Sequence, residues 1–76
     1  MKGQIALSLA GRDKGRLFQI VEIPDVNYAL IADGQLRKID KPKRKKLKHL
    51  KLLDIVKEIP DTNKALEKLL TELSQS

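Results

Sequence analysis

Apolar residues alternate with a period of two through the first half of this chain and recur with a helical period near its end. Ile5, Leu7 and Leu9 alternate with Ala6 and Ser8, which predicts a strand that buries the Ile5, Leu7, Leu9 face. Residues 17–23, LFQIVEI, are dense in β-branched and large apolar side chains and predict a second strand covered on much of both faces. Proline, aspartate and asparagine in residues 24–27, PDVN, supply turn chemistry. A third strand follows at 28–32, with Tyr28, Leu30 and Ala32 on one face and Ala29 and Ile31 on the other. Asp33-Gly34 is a two-residue hairpin signal of the type I′ kind and delivers a short fourth strand over 35–39. Leu36 and Ile39 have opposite parity there, which predicts a bulge or an early end.

Residues 40–46, DKPKRKK, lack any apolar position and read as a solvated basic loop. The stretch 47–56 carries two patterns: Leu50 and Leu52 alternate as in a strand, while Leu47, Leu50, Leu53 and Val56 recur every third residue. Closing a small barrel needs another strand, so one is placed at about 48–53. Beyond Pro60-Asp61-Thr62-Asn63, whose side chains suit a helix cap, Ala65, Leu66, Leu69, Leu70 and Leu73 predict a helix over 62–73. Lys64, Lys68 and Glu72 fall on its polar side, and 74–76 form a frayed end.

This order describes a mainly β fold, a small SH3-like β-barrel of about five strands with a C-terminal α-helix packed across one opening. Residues 1–56 make the barrel and 57–76 the helix, together one domain, as a 76-residue length requires. Cysteine is absent, which rules out disulfide staples and thiolate metal sites and fits a reducing, cytoplasmic setting. The N-terminal apolar run is about six residues long and leads straight into charge, so a strand is preferred to a signal peptide. No run approaches the ~20 apolar residues of a membrane span.

Charge changes the picture most. The net +6 is unevenly spread: residues 1–36 are balanced, 37–51 hold nine basic and one acidic side chain, and 52–76 lean acidic. Arg37, Lys38, Lys41, Lys43, Arg44, Lys45, Lys46, Lys48 and Lys51 thus crowd one short block, the footprint of a polyanion-binding surface. Its lysine bias suits tolerant phosphate contact better than bidentate base reading. A solubilising surface or a guard on a sheet edge is the alternative, for which one or two lysines suffice.

Catalysis finds little support. One histidine and no cysteine leave no Cys-His pair and no His/Cys metal cluster, and the acids are scattered. The expectation is therefore no enzyme, no metal and no cofactor. His49, inside the basic block, reads as a surface or nucleic-acid-facing side chain rather than a general base. Phe18 reads as core. Tyr28 fits either a half-exposed ring able to stack on a base or a packed ring with its hydroxyl at the surface.

GRDKGR, opening on Gly11 with a second glycine at Gly15, sits between two apolar strands and resembles the KOW motif of ribosomal and transcription-elongation proteins. AGRDKGR together with LIADGQLRKIDKPKRKKLKHL resembles, over about residues 6–53, the "fourteen-e" family of KOW ribosomal proteins and its small bacterial RNA-binding relatives. That resemblance implies an SH3-like barrel bound to ribosomal or other structured RNA, with ribosomal proteins as further neighbours. Gly11, Arg12, Lys14, Gly15 and Arg16 of the loop, with Arg37, Lys38, Lys41, Lys43, Arg44, Lys45, Lys46, Lys48 and His49, are the implied contacts. A protein-interaction adaptor built on the same barrel is the rival reading. A weaker third takes 43–56 as a basic amphipathic helix on anionic membranes, although it lacks aromatic anchors.

Overall fold

The computed structural model describes residues 1–75 and contains one five-stranded antiparallel sheet and one α-helix. The strands are β1 (Gln4–Ser8), β2 (Leu17–Asp25), β3 (Tyr28–Ala32), β4 (Lys43–Lys46) and β5 (Leu50–Val56). A 3₁₀ turn, Leu47–His49, joins β4 to β5, and the helix α1 spans Asn63–Ser74. The sheet order is β4-β3-β2-β1-β5, open, with β4 and β5 at its edges.

Both faces of the sheet are covered. Ala6, Phe18, Ile20, Ala29, Ile31 and Leu50 form one core cluster, on which Leu47 packs. Ile5, Ala32, Leu66 and Leu70 form the other, with Leu17, Val21, Leu53, Ile55, Leu69 and Leu73 around them. Thr62 caps α1 by accepting the Ala65 amide at 3.1 Å, and the Asn63 side chain accepts the Ile39 amide at 2.7 Å. The helix therefore lies where Leu66 and Leu70 seal the Ile5–Ala32 side. Ser74 is still helical and Gln75 is the C-cap, so of the expected frayed end only Ser76 lies outside the described residues.

Five sequence expectations need correction. In β1 the buried positions are Ile5, Ala6 and Ser8, while Leu9 lies beyond the strand and is exposed. Because both faces are covered, period-two alternation does not select a single buried face there. Residues 35–39 form no strand. Asp33 does not take the positive φ of a type I′ turn, and its carboxylate instead accepts the amides of Gln35 and Arg37 at 3.0 and 2.9 Å. The fourth strand is instead Lys43–Lys46, within the stretch read as a basic loop, and it pairs with β3 from Tyr28↔Lys46 to Ile31↔Lys43. Residues 43–56 form strand, 3₁₀ turn and strand, so the amphipathic-helix reading fails. The strand expected at 48–53 is present but runs over Leu50–Val56, with Lys48 and His49 in the turn before it.

No helix among the described residues is long and apolar enough to cross a membrane.

Candidate nucleic-acid interface

Strand β4 has no apolar residue, yet it alternates. Lys45 is opposite Ala29 and Lys43 opposite Ile31, so both share the face of the Phe18 cluster, whereas Arg44 and Lys46 share the other. A buried ammonium needs a partner, and the β1–β2 loop supplies it. The Lys45 ammonium donates to Asp13 Oδ1 at 2.7 Å and to the Ala10 carbonyl at 2.8 Å. Ser8 Oγ donates to the same Asp13 oxygen at 2.6 Å, and Lys43 reaches Asp13 Oδ2 at 3.4 Å. The Lys45 and Asp13 side chains are only 6% and 7% exposed. Burial pushes the Asp13 carboxyl up. Hydrogen bonds from Lys45 and Ser8, with the charges of Lys45 and Lys43, outweigh that and hold it well below the usual carboxylate range. The open sheet is thereby strapped across its inner face by side chains, from edge strand β4 to the loop after β1.

The glycine loop is divided by this anchor. The Gly15 amide donates to the Ser8 carbonyl at 2.8 Å, and the Ser8 amide donates to the Arg16 carbonyl at 3.0 Å, so the loop is pinned at its base. Gly11 lines a groove of about 380 Å³ together with β4, Tyr28 and His49. Gly15 and Arg16 face a different hollow, shared with Asp33 and the helix residue Glu67. Arg16 is held there by Asp33 at 3.3 Å and Gln35 at 3.3 Å. Arg12 and Lys14 stay exposed on the loop, with no ion-pair partner among the described residues.

The basic block is likewise sorted by the fold. Lys45 is internal and unavailable to a ligand, and Lys43 is half-buried and shared with Asp13. Arg44 is exposed but engaged, paired with Asp25 at 3.2 Å and stacked 4.1 Å above the Tyr28 ring centroid. Tyr28 is accordingly half-buried with one face covered. Lys41, Lys46, Lys48 and Lys51 are exposed without an ion-pair partner among the described residues. Arg37 and Lys38 are also exposed but belong to the segment beside the helix start, where Lys38 reaches the Gly34 carbonyl at 3.5 Å and Ile39 is bonded to Asn63.

The structure thus brings together Gly11, β4 and His49, joined by Lys48 on the 3₁₀ turn, and sets Gly15, Arg16, Arg37 and Lys38 apart. Asp13 and Ser8, which fix this arrangement, were not among the expected site residues. A lone acid in a basic loop was the signal available for Asp13. No three His, Asp or Glu side chains come together as metal ligands among the described residues. The chain matches no protein-family model, and no curated protein matches it in sequence.

Proposed function

We propose that this chain is a non-catalytic RNA-binding protein that docks structured RNA on the edge formed by β4, the 3₁₀ turn and the Gly11 end of the glycine loop. The observation that carries the reading is a row of exposed, unpaired lysines in sequence, with Lys46 at the end of β4 lining the Gly11 groove, Lys41 just before the strand and Lys48 on the 3₁₀ turn after it, while the inward lysines of β4 are already bound to Asp13. Such a row gains nothing from the fold and is relieved of self-repulsion by phosphates. Arg12 and Lys14 extend the charge onto the adjoining loop, where Gly11 leaves the backbone open to close approach.

The strand order, the glycine loop between β1 and β2, and the Asp13–Lys45 strap support reading the sheet as an SH3-like barrel of the KOW "fourteen-e" kind, closed on one side by side chains. On that reading the protein is cytoplasmic and ribosome-associated. A-form RNA presents phosphates and 2′-hydroxyls across a wide minor groove, which suits an edge rich in lysine and poor in aromatic rings. The test is direct titration of a structured RNA hairpin against duplex DNA of equal length at several salt concentrations. Tighter binding to the RNA, weakening steeply with salt, is expected; equal binding to both polymers, or none, overturns the proposal.

A further inference from the structure

Next to the Gly11 groove lies a second one, of about 320 Å³, lined by Val26, Asn27, Tyr28, Lys46, Leu47 and Lys48. Its frame is fixed by backbone. The Leu47 amide donates to the Asn27 carbonyl at 2.8 Å, and the Asn27 amide donates to Asp25 Oδ1 at 2.8 Å, so the β2–β3 turn and the 3₁₀ turn are held together. Arg44 lines the first groove and not this one, so its stacking steadies the Tyr28 ring without filling the second groove.

The chemistry of the lining is mixed in a specific way. Val26 is 85% exposed, a branched apolar side chain left in water at the rim beside Tyr28 and Leu47. The Asn27 side-chain amide, on the exposed turn, has no hydrogen-bond partner among the described residues. It offers one acceptor and two donors. Lys46 and Lys48, both exposed, flank the same space. Apolar walls with an aromatic edge, a free amide and two ammonium groups match the parts of a nucleotide: a flat base, a hydrogen-bonding base edge, and a phosphate on each side.

We propose that this second groove receives a single unpaired nucleotide of the bound RNA. Its base lies against Val26, Tyr28 and Leu47, the Asn27 amide reads its edge, and Lys46 and Lys48 hold its flanking phosphates. This deepens the RNA-binding reading and rests on it: the preferred target is a helix interrupted by a bulged or looped-out nucleotide, adjoining the stem that docks on β4.

The test uses two RNA hairpins of identical stem, one continuous and one with a single bulged nucleotide, and three proteins: the parent chain, Asn27→Ala and Val26→Ser. The parent should bind the bulged hairpin about tenfold tighter, as stacking of one base allows, with NMR shifts of the Asn27 side-chain amide and Tyr28 ring only for that RNA. Both variants, altered at exposed turn positions, should keep the parent's melting temperature and its affinity for the continuous stem while losing the preference. Equal binding of the two hairpins by the parent, or a preference that survives both substitutions, overturns the nucleotide site and leaves the RNA reading standing. Failure to bind either hairpin overturns both.

Discussion

The Asp13 carboxylate and the Lys45 ammonium lie 2.7 Å apart inside the protein and connect the glycine loop to the edge strand β4. Two residues 32 positions apart, in separate charged loops as the sequence reads, are a structural strap. Breaking a buried pair by removing one partner costs about 3–5 kcal/mol, because the other charge is left uncompensated. Asp13→Asn and Lys45→Met should each destabilise the domain on that scale, measured by urea denaturation. In a small domain that loss is a large fraction of the total. Unchanged midpoints would mean that the strap contributes nothing.

The same pair sets an acid dependence. The folded-state pKa of Asp13 is depressed, so its stabilisation is complete above the unfolded carboxylate value of about 3.9 and is lost as pH falls below that toward the folded value. The gap in melting temperature between the parent and Asp13→Asn should be flat from about pH 7 to 5 and narrow below about pH 4. A gap that instead narrows between pH 7 and 5 would contradict the assignment.

Glycine substitutions separate strain from collision. Gly15 has φ +88° and nothing within 4 Å of an added Cβ. Gly15→Ala should therefore cost only the left-handed backbone penalty, about 1–2 kcal/mol. Gly34 has φ +81°, and an added Cβ would collide with the Asn63 carbonyl oxygen at the start of α1. Gly34→Ala should cost well beyond that and detach the helix, seen as faster amide exchange through Leu66 and Leu70. Equal costs for the two variants would show that α1 does not rest on Gly34.

Much of this fold was legible because burial wrote it into the pattern. The cores of β2 and β3 and the Leu66–Leu70 stripe of α1 carry apolar residues at the spacing of their element. Strand β4 was not legible, since its inward positions are Lys43 and Lys45, neutralised by an acid 32 residues from Lys45. Hydrophobic periodicity is blind to a strand that buries ion pairs. Asp33-Gly34 misled for a related reason: the Asp33 side chain caps two amides of its own loop rather than shaping a hairpin. The basic block was visible as composition, but only the register of β4 separates internal Lys45 from external Lys46.

That separation predicts opposite outcomes at adjacent positions. Lys46→Gln should leave stability within about 0.5 kcal/mol, as a surface change does, and weaken RNA binding. Lys45→Gln should lower stability sharply. Denaturation and binding measured on both variants check this, and matching behaviour of the two would contradict the register.

The central claim, that exposed lysines on the β4 edge contact RNA phosphates, is tested most directly by the salt dependence of affinity for a structured RNA. Lys41→Gln, Lys46→Gln and Lys48→Gln together should leave melting unchanged and flatten log K against log salt by about 2 to 3, since each lost contact removes roughly 0.7 to 0.9. Lys64→Gln with Lys68→Gln on the helix, as control, should leave the slope in place. A triple variant that binds with the parent's affinity and slope would contradict the account, reduce the block to a solubilising surface, and favour a protein-binding adaptor instead.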